Sequence, residues 1–247
     1  MVHGKIVLTG ELELCSPALI GCGRDEVSEI DLLVDTDGKP FIPATAFIGA
    51  ICHLMHLPER YSEEKKRFWG FTDKPSGQQS AVRCSDLYCL NRPKIAIRDG
   101  IKIDAFTGIV KEGAKYDYQI IEPGAKFNVY LEADYAEQTE SFVKQMMATI
   151  ATILQNGELQ IGAKTNSGLG KAKLIRQVLY NFDFSNKKDV VSWLTSWPTK
   201  NFLAKEPLAI EQLGTPFDLK EHCFHLNAAF WLKNSLIVRS YSADPEK

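Results

Sequence analysis

The sequence predicts an α+β domain in which helices cover one face of a mainly antiparallel sheet, and three observations carry that prediction. Residues 5–14, KIVLTGELEL, alternate between two faces. FNVYLEAD at 127–134 alternates again. SFVKQMMATIATILQNG at 141–157 changes period: Phe142, Val143, Met146, Met147, Ile150, Ile153 and Leu154 recur at three- and four-residue spacing, the pattern of a helix with one buried stripe. The order strand, helix, strands, helix, strand makes a split βαβ or ferredoxin-like unit the simplest architecture. The open sheet face of such units is a frequent RNA platform, but no aromatic RNP signature is present, so the chain does not read as an ordinary RRM.

Each element has its own reason. In the first strand Ile6, Leu8, Gly10, Leu12 and Leu14 share one face while Lys5, Val7, Thr9, Glu11 and Glu13 share the other, which predicts a half-buried strand. Pro17, Gly21 and Gly23 break it. EIDLLVDTDGKPFIP then gives a short apolar run and a turn at Asp37-Gly38. Thr45 is placed to cap a helix over 46–57 that buries Phe47, Ile48, Ile51, Leu54 and Met55. Residues 58–80 read as a charged surface segment. SAVRCSDLYCL and KIAIRDGIKIDAFTG read as strands around a turn at Asp99-Gly100. Asn156-Gly157 ends the long helix. ELQIG leads into a glycine-rich loop and GKAKLIRQVLY leaves it as a strand.

The tail repeats the start. In HCFHLNAAFWLKNSLIVRS, Phe224, Leu226, Ala228, Phe230 and Leu232 match Ile6, Leu8, Gly10, Leu12 and Leu14 at a constant offset. The expected organisation is a domain over 1–184, a linker with a short helix over 185–221, and over 222–247 the first strand of a second such domain. That strand is either cut short or donated to a neighbour.

Composition narrows the class. With 45% hydrophobic and 24% charged residues, the 247-residue chain has the make-up of a globular protein with a core. A net charge of −2 excludes coating of nucleic acid through overall charge, yet leaves room for a local basic groove. The six cysteines form no CxxC pair and no apolar leader precedes the first strand, so reduced thiols in the cytoplasm are expected. Cys52 and His56 lie one helical turn apart without a second ligand pair, so no structural zinc is expected. No apolar run reaches the roughly 18 residues of a membrane span.

Two stretches offer chemistry. IGAKTNSGLGKAKL, residues 161–174, holds Gly162, Gly168 and Gly170 with Lys164, Lys171 and Lys173 and no acid. Glycines let backbone N–H groups face an anion closely, and lysines add charge. It is neither a Walker A sequence nor GxGxxG before a helix, so from spacing it reads either as a phosphate-gripping loop or as a hairpin turn with a solvated basic edge. In GRDEVSEIDLLVDTDGKP, Asp31 sits between Ile30 and Leu32 at the start of an apolar run. A carboxylate so placed reads either as a solvated acid or as a general base or ligand for a divalent ion beside a phosphodiester. The histidines lie near the ends or on one helix and disfavour a histidine-pair ribonuclease.

Taken together these stretches resemble a known family. LTGELELCSPALIGCGRDEVSEIDLLVDTDGKPFIPATAFIGA resembles the opening of the RAMP superfamily of CRISPR-associated proteins, with its strand, its SP-LIG-G turn, an Asp, and a GKPFIPGTSLKGA-like run. IGAKTNSGLGKAKL resembles the family's glycine-rich loop. IAIRDGIKIDAFTGIVKEGAKYDYQIIEPGAKF resembles the segment of type III backbone subunits that leads into a thumb hairpin. The tail resembles the start of another RAMP domain, as in the fused backbone proteins of the type III-D and III-E variants.

The resemblance implies a ferredoxin-like, RRM-like RAMP domain with an inserted thumb β-hairpin. It implies a subunit that stacks with other effector subunits along a CRISPR guide RNA and pairs it with a complementary target RNA. The thumb would flip a base pair, and the target would be cut by an Asp with Mg2+ or Mn2+. The matching positions make Asp31 the catalytic and metal-holding residue and Asp25 the second candidate. They assign guide contact to Gly21, Gly23, Arg24, Thr45, Phe47, Arg98, Gly162, Lys164, Asn166, Gly168, Gly170 and Lys171. Two departures stand out. ATAFIG replaces GTSLKG, so the family's lysine is missing, and RFWGFTDKPSGQQSAVRCSDL replaces the Cys-rich zinc segment of some relatives. The open alternatives are a scaffold that does not cleave and a guide-processing endonuclease, for which His3 lies too near the end.

Overall fold

The computed structural model describes residues 1–21, 31–73, 76–104, 106–107, 109–202, 204–219, 226 and 228–233. In chain order the strands are β1 (Gly4–Leu14), β2 (Phe41–Ile42), β3 (Phe71–Asp73), β4 (Ser76–Gln78), β5 (Val82–Cys84), β6 (Leu87–Tyr88), β7 (Ile95–Ile103), β8 (Val110–Ile121), β9 (Lys126–Tyr135), β10 (Leu159–Gln160) and β11 (Lys171–Asp183). The helices are α1 (Ala44–Leu54), α2 (Ser62–Trp69), α3 (Glu140–Asn156) and α4 (Lys187–Ser196).

The main sheet runs β10-β11-β1-β9-β5, with every pairing antiparallel. With α1 between β1 and β5 and α3 between β9 and β11, this is the ferredoxin-like order, and the fold is α+β as expected. β7 and β8 form a separate hairpin inserted between β5 and β9.

β1 is central because both its edges are taken. Leu8 lies across from Leu131 on one side and Leu179 on the other. Its even face packs under α3, whose Val143, Met146, Met147, Ile150, Ile153 and Leu154 are buried, and near α1, which buries Phe47 and Ile51. Gly157 ends α3 in the left-handed conformation, as a C-terminal glycine does.

β1 is half-buried, its even face in the core and its odd face partly exposed except at Val7, which is fully buried. Within the 185–221 stretch α4 lays Trp193 onto that odd face, where with Phe202 it joins Val7, Tyr130, Tyr180 and Phe182 in a second core. Trp193 stacks on Phe202 at 5.9 Å and meets Phe182 edge-on at 5.3 Å. Further on, the Leu208 amide donates to the Leu179 carbonyl and the Phe217 amide to Thr149 Oγ1.

Three local expectations are corrected. Thr45 does not cap α1. The chain enters the helix at Pro43, and Asp86 Oδ1 accepts the Ala44 amide from a distant turn. Asp99-Gly100 is not a turn but the middle of β7, where the missing Cβ makes room for the Tyr116 ring of β8. Residues 58–80 are not wholly surface, since α2 buries Phe68 and β3 pairs with β4. Of the expected tail strand only 226 and 228–233 are described. They carry no strand, and Leu226, Phe230, Trp231 and Leu232 are exposed.

Beside the second core lies an ionic network. Glu132 on β9 accepts from Tyr130 Oη at 2.5 Å, Arg83 Nε at 2.8 Å and Lys5 Nζ at 3.2 Å, and Asp134 accepts from the same Lys5 Nζ and from the Arg83 Nη2. Burial by itself would push the Glu132 carboxyl up, but the hydrogen bonds from Tyr130 and Arg83 and the charge of Lys5 outweigh it and hold the group below its ordinary value near 4.5.

Two outcomes follow. Trp193→Ala lowers stability in urea unfolding by about 3 kcal/mol, as loss of a buried aromatic does, whereas truncation in a free linker would leave it unchanged. Because the folded Glu132 is the stronger acid, its stabilisation is complete above pH 4.5 and is lost as pH falls below that value. Glu132→Gln therefore flattens the acid limb of the stability–pH profile.

Candidate functional site

The site is organised by the six residues that follow β1. The Cys15 amide donates to the Lys171 carbonyl at 2.8 Å, and Ser16 Oγ accepts the Lys171 amide at 2.9 Å. The Pro17 carbonyl accepts from Gly170 at 2.7 Å and the Leu19 carbonyl from Ala163 at 2.8 Å. Ala18 exchanges both backbone bonds with Ile121 at the base of the β7–β8 hairpin, and the Ile20 carbonyl accepts from Leu33. One short segment thus holds the glycine-rich loop, the hairpin base and the residue after Leu32 side by side.

Within the glycine-rich loop the glycines differ. A Cβ on Gly170 would lie 2.0 Å from the Ile161 carbonyl oxygen, and one on Gly162 would lie 2.3 Å from that of Leu19. Both have positive φ, so glycine is required for close backbone approach. Gly168 also has positive φ but faces open space. The expectation that loop amides stand ready for phosphates is narrowed. Those of Ile161, Ala163, Ser167, Gly168, Gly170 and Lys171 already bond within the fold. Those of Lys164, Thr165 and Asn166 bond no partner among the described residues, and Asn166 is exposed.

Lys164 differs from the reading of a solvated basic edge. It holds a left-handed backbone, φ 59°, which costs a non-glycine residue about 1–2 kcal/mol. Its Nζ donates to Tyr116 Oη at 2.6 Å and lies 4.9 Å and 4.7 Å from the ring centroids of Tyr116 and Tyr118. Arg98 lies across from Tyr118 on the same face of the hairpin, with Glu122 3.8 Å from its guanidinium. Lys171 is exposed, its strand neighbour being Gln160, while Lys173 lies across from Glu13.

Gly21 forms a bridge with Leu32 at the neck of the first loop. Asp31, next to that bridge, is exposed. The Leu32 amide reaches Gln119 Oε1 of β8 at 3.4 Å, so the Asp31 backbone sits beside the hairpin. Asp25, Gly23 and Arg24 lie outside the described residues. Thr45 is exposed in the first turn of α1. Phe47 is corrected as a contact residue, because its ring is fully buried in the core and stabilises α1 from within.

Among the described residues no group of three or more His, Cys, Asp or Glu side chains is placed to hold a metal. Asp35 Oδ1 already accepts the Asp37 and Lys39 amides. Asp31 is thus one carboxylate, a donor set that fits a hydrated Mg2+ or Mn2+ shared with substrate phosphates rather than an ion caged by protein. Among the described residues no helix is long and apolar enough to cross a membrane.

Sequence reasoning missed Tyr116, Tyr118, Gln119, Ser16 and Asp86. The only available signal was Tyr-Asp-Tyr alternation at 116–118, two rings on one face of a strand.

The family model of the RAMP superfamily matches residues 11–173, from within β1 to the start of β11. No curated protein matches the chain.

Gly170 and Gly168 make predictions of different size. Gly170→Ala destabilises the fold by about 3 kcal/mol or more, because the clash is with backbone. Gly168→Ala costs only about 1 kcal/mol, the strain of its φ. Thermal unfolding of both variants checks this.

Proposed function

The chain belongs to the RAMP superfamily, and from that premise we propose that it is a guide-RNA-binding backbone subunit of a type III CRISPR effector that also cleaves the complementary target RNA. The observation that carries the reading is the convergence at residues 15–21: the glycine-rich loop, the Asp31 neck and the hairpin base are tied to one short segment. A single-stranded guide lying along that segment meets Lys171, Asn166 and Gly168 on the loop, and Thr45 and Arg98 line its approach. Contact through phosphates needs no base-reading side chains, because sequence is read by pairing, as in RNA-guided DNA recognition.

Asp31 carries the chemistry in this reading. RNA brings its own nucleophile, the 2′-hydroxyl, and the exposed carboxylate accepts that proton as the oxygen attacks the adjacent phosphorus. The P–O5′ bond breaks, the leaving 5′-oxygen takes a proton from solvent water, and a 2′,3′-cyclic phosphate and a 5′-hydroxyl remain. DNA, without the 2′-hydroxyl, is spared. Asp31 is also the residue that would hold Mg2+ or Mn2+, with water and RNA phosphates completing the shell, and the ion would supply stabilisation of developing charge.

A second reading keeps guide binding and removes cleavage. It is favoured by the absence, among the described residues, of any group of three or more His, Cys, Asp or Glu side chains placed to hold a metal. In both readings the partners are guide RNA, target RNA and other subunits of the complex. Residues 222–247 are, in the same proposal, the first strand of a second RAMP-like domain, cut short or donated to a neighbouring subunit.

Asp31→Ala decides between the two. Cleavage of complementary RNA at one position falls at least ~100-fold, the usual weight of a general base, while guide affinity changes less than about two-fold. If every cut persists in the variant, the subunit is a scaffold. Lys171→Met lowers the salt slope of single-stranded RNA affinity by about 0.7, one phosphate contact. An unchanged slope removes Lys171 from the interface.

A further inference from the structure

Lys164 looks in sequence like another loop cation. In the structure its head is built into the hairpin. Gly100 on β7 lacks the Cβ that would lie 2.4 Å from the Tyr116 ring, so that ring lies flat across the strand. Tyr118 flanks it at 6.0 Å between centroids. The Lys164 ammonium sits 4.7–4.9 Å from both centroids and donates to Tyr116 Oη. Reaching a phosphate would break one hydrogen bond and two cation–π contacts.

The same device recurs. Among the described residues the three non-glycine positions with positive φ are all basic, and each has its head engaged. Arg176 bonds Glu11 at 2.6 Å, and Lys200 donates to Ser85 Oγ at 2.8 Å over the Tyr130 ring. Lys200 ties the α4 segment to the main sheet in this way. By the same means Lys164 ties the glycine-rich loop to the hairpin.

The hairpin needs such a tie. β7 and β8 form a two-stranded sheet of their own, bridged to the body at Ile121 by Ala18, and a two-stranded hairpin by itself is marginal in water. Its base packs Ile120 and Ile121 into the main core, and among the described residues its polar tethers to the body along β8 include Ile121 through Ala18, Gln119 through Leu32, and Tyr118 and Tyr116 through Lys164. Among the described residues Tyr116 is the outermost of them. We infer that Lys164 is a positioning residue rather than a phosphate ligand: seated on Tyr116 and Tyr118, it pins the hairpin to the loop. Resting on the function proposed above, this means that the loop holding the guide also sets the angle at which the hairpin meets the guide–target duplex.

The test uses the full chain. Amide exchange is measured over residues 97–101, 116–121 and, as a control for folding, β1, in Lys164→Met, Lys164→Arg and Tyr116→Phe. The salt dependence of binding to a single-stranded RNA is measured for Lys164→Met and Lys171→Met. Lys164→Met and Tyr116→Phe speed hairpin exchange roughly ten-fold and leave β1 unchanged, and Lys164→Arg restores most of the protection. The salt slope stays at the wild-type value in Lys164→Met and falls by about 0.7 only in Lys171→Met. The inference is overturned if hairpin exchange is unchanged in Lys164→Met with β1 intact, or if its slope falls as that of Lys171→Met does. Tyr116→Phe removes one oxygen and keeps the core, so it decides the matter should Lys164→Met fail to fold. RNA that does not bind the wild-type chain would sink the proposed function, while the exchange data would still judge the pin.

Discussion

Residues 15–20 are the joint on which the rest of the molecule depends. Their backbone groups are spent, one after another, on Lys171, Gly170, Ile121, Ala163 and Leu33. A strand that ended in a freely solvated loop would leave the glycine-rich loop, the hairpin and the neck at Asp31 as three independent excursions. Hydrogen bonding fixes them to one stretch that is itself continuous with the central strand. The glycines at 162 and 170 are the counterpart of that joint, since only a residue without Cβ lets carbonyl and backbone meet so closely.

The second face of the sheet explains why the site has only one side to occupy. Its half near Val7 is closed by Trp193 and Phe202 and by the network around Glu132. Burying charge is tolerated there because every participant is paired: two acids, two bases and a tyrosine hydroxyl share a single cluster. An open platform of the usual RNA-binding kind is therefore reduced. The candidate surface shifts to the end of the sheet where β1 leaves it, away from α4.

Basic residues also divide into two populations that net charge cannot separate. Lys164, Lys200 and Arg176 adopt a strained backbone and spend their heads on tyrosines or an acid within the fold. Lys171 stays exposed on an ordinary strand. A loop that counts three lysines in sequence consequently offers less free charge than its composition suggests.

By itself the sequence determined the α+β class, β1, β9, α3 with its Gly157 stop, and the places of the glycine loop and of Asp31, because periodicity and turn chemistry are local properties. The tertiary structure decided what each of these meets. Val7 is buried because a distant helix folds back, Asp86 rather than Thr45 serves α1, and Asp99-Gly100 stays extended because Tyr116 needs the space. Likewise Phe47 faces the core, and the Lys164 charge turns to two rings rather than outward. The physical reason is common to them all: a residue's spacing along the chain sets its direction, but its partner comes from segments tens of residues away, and only packing brings the two together.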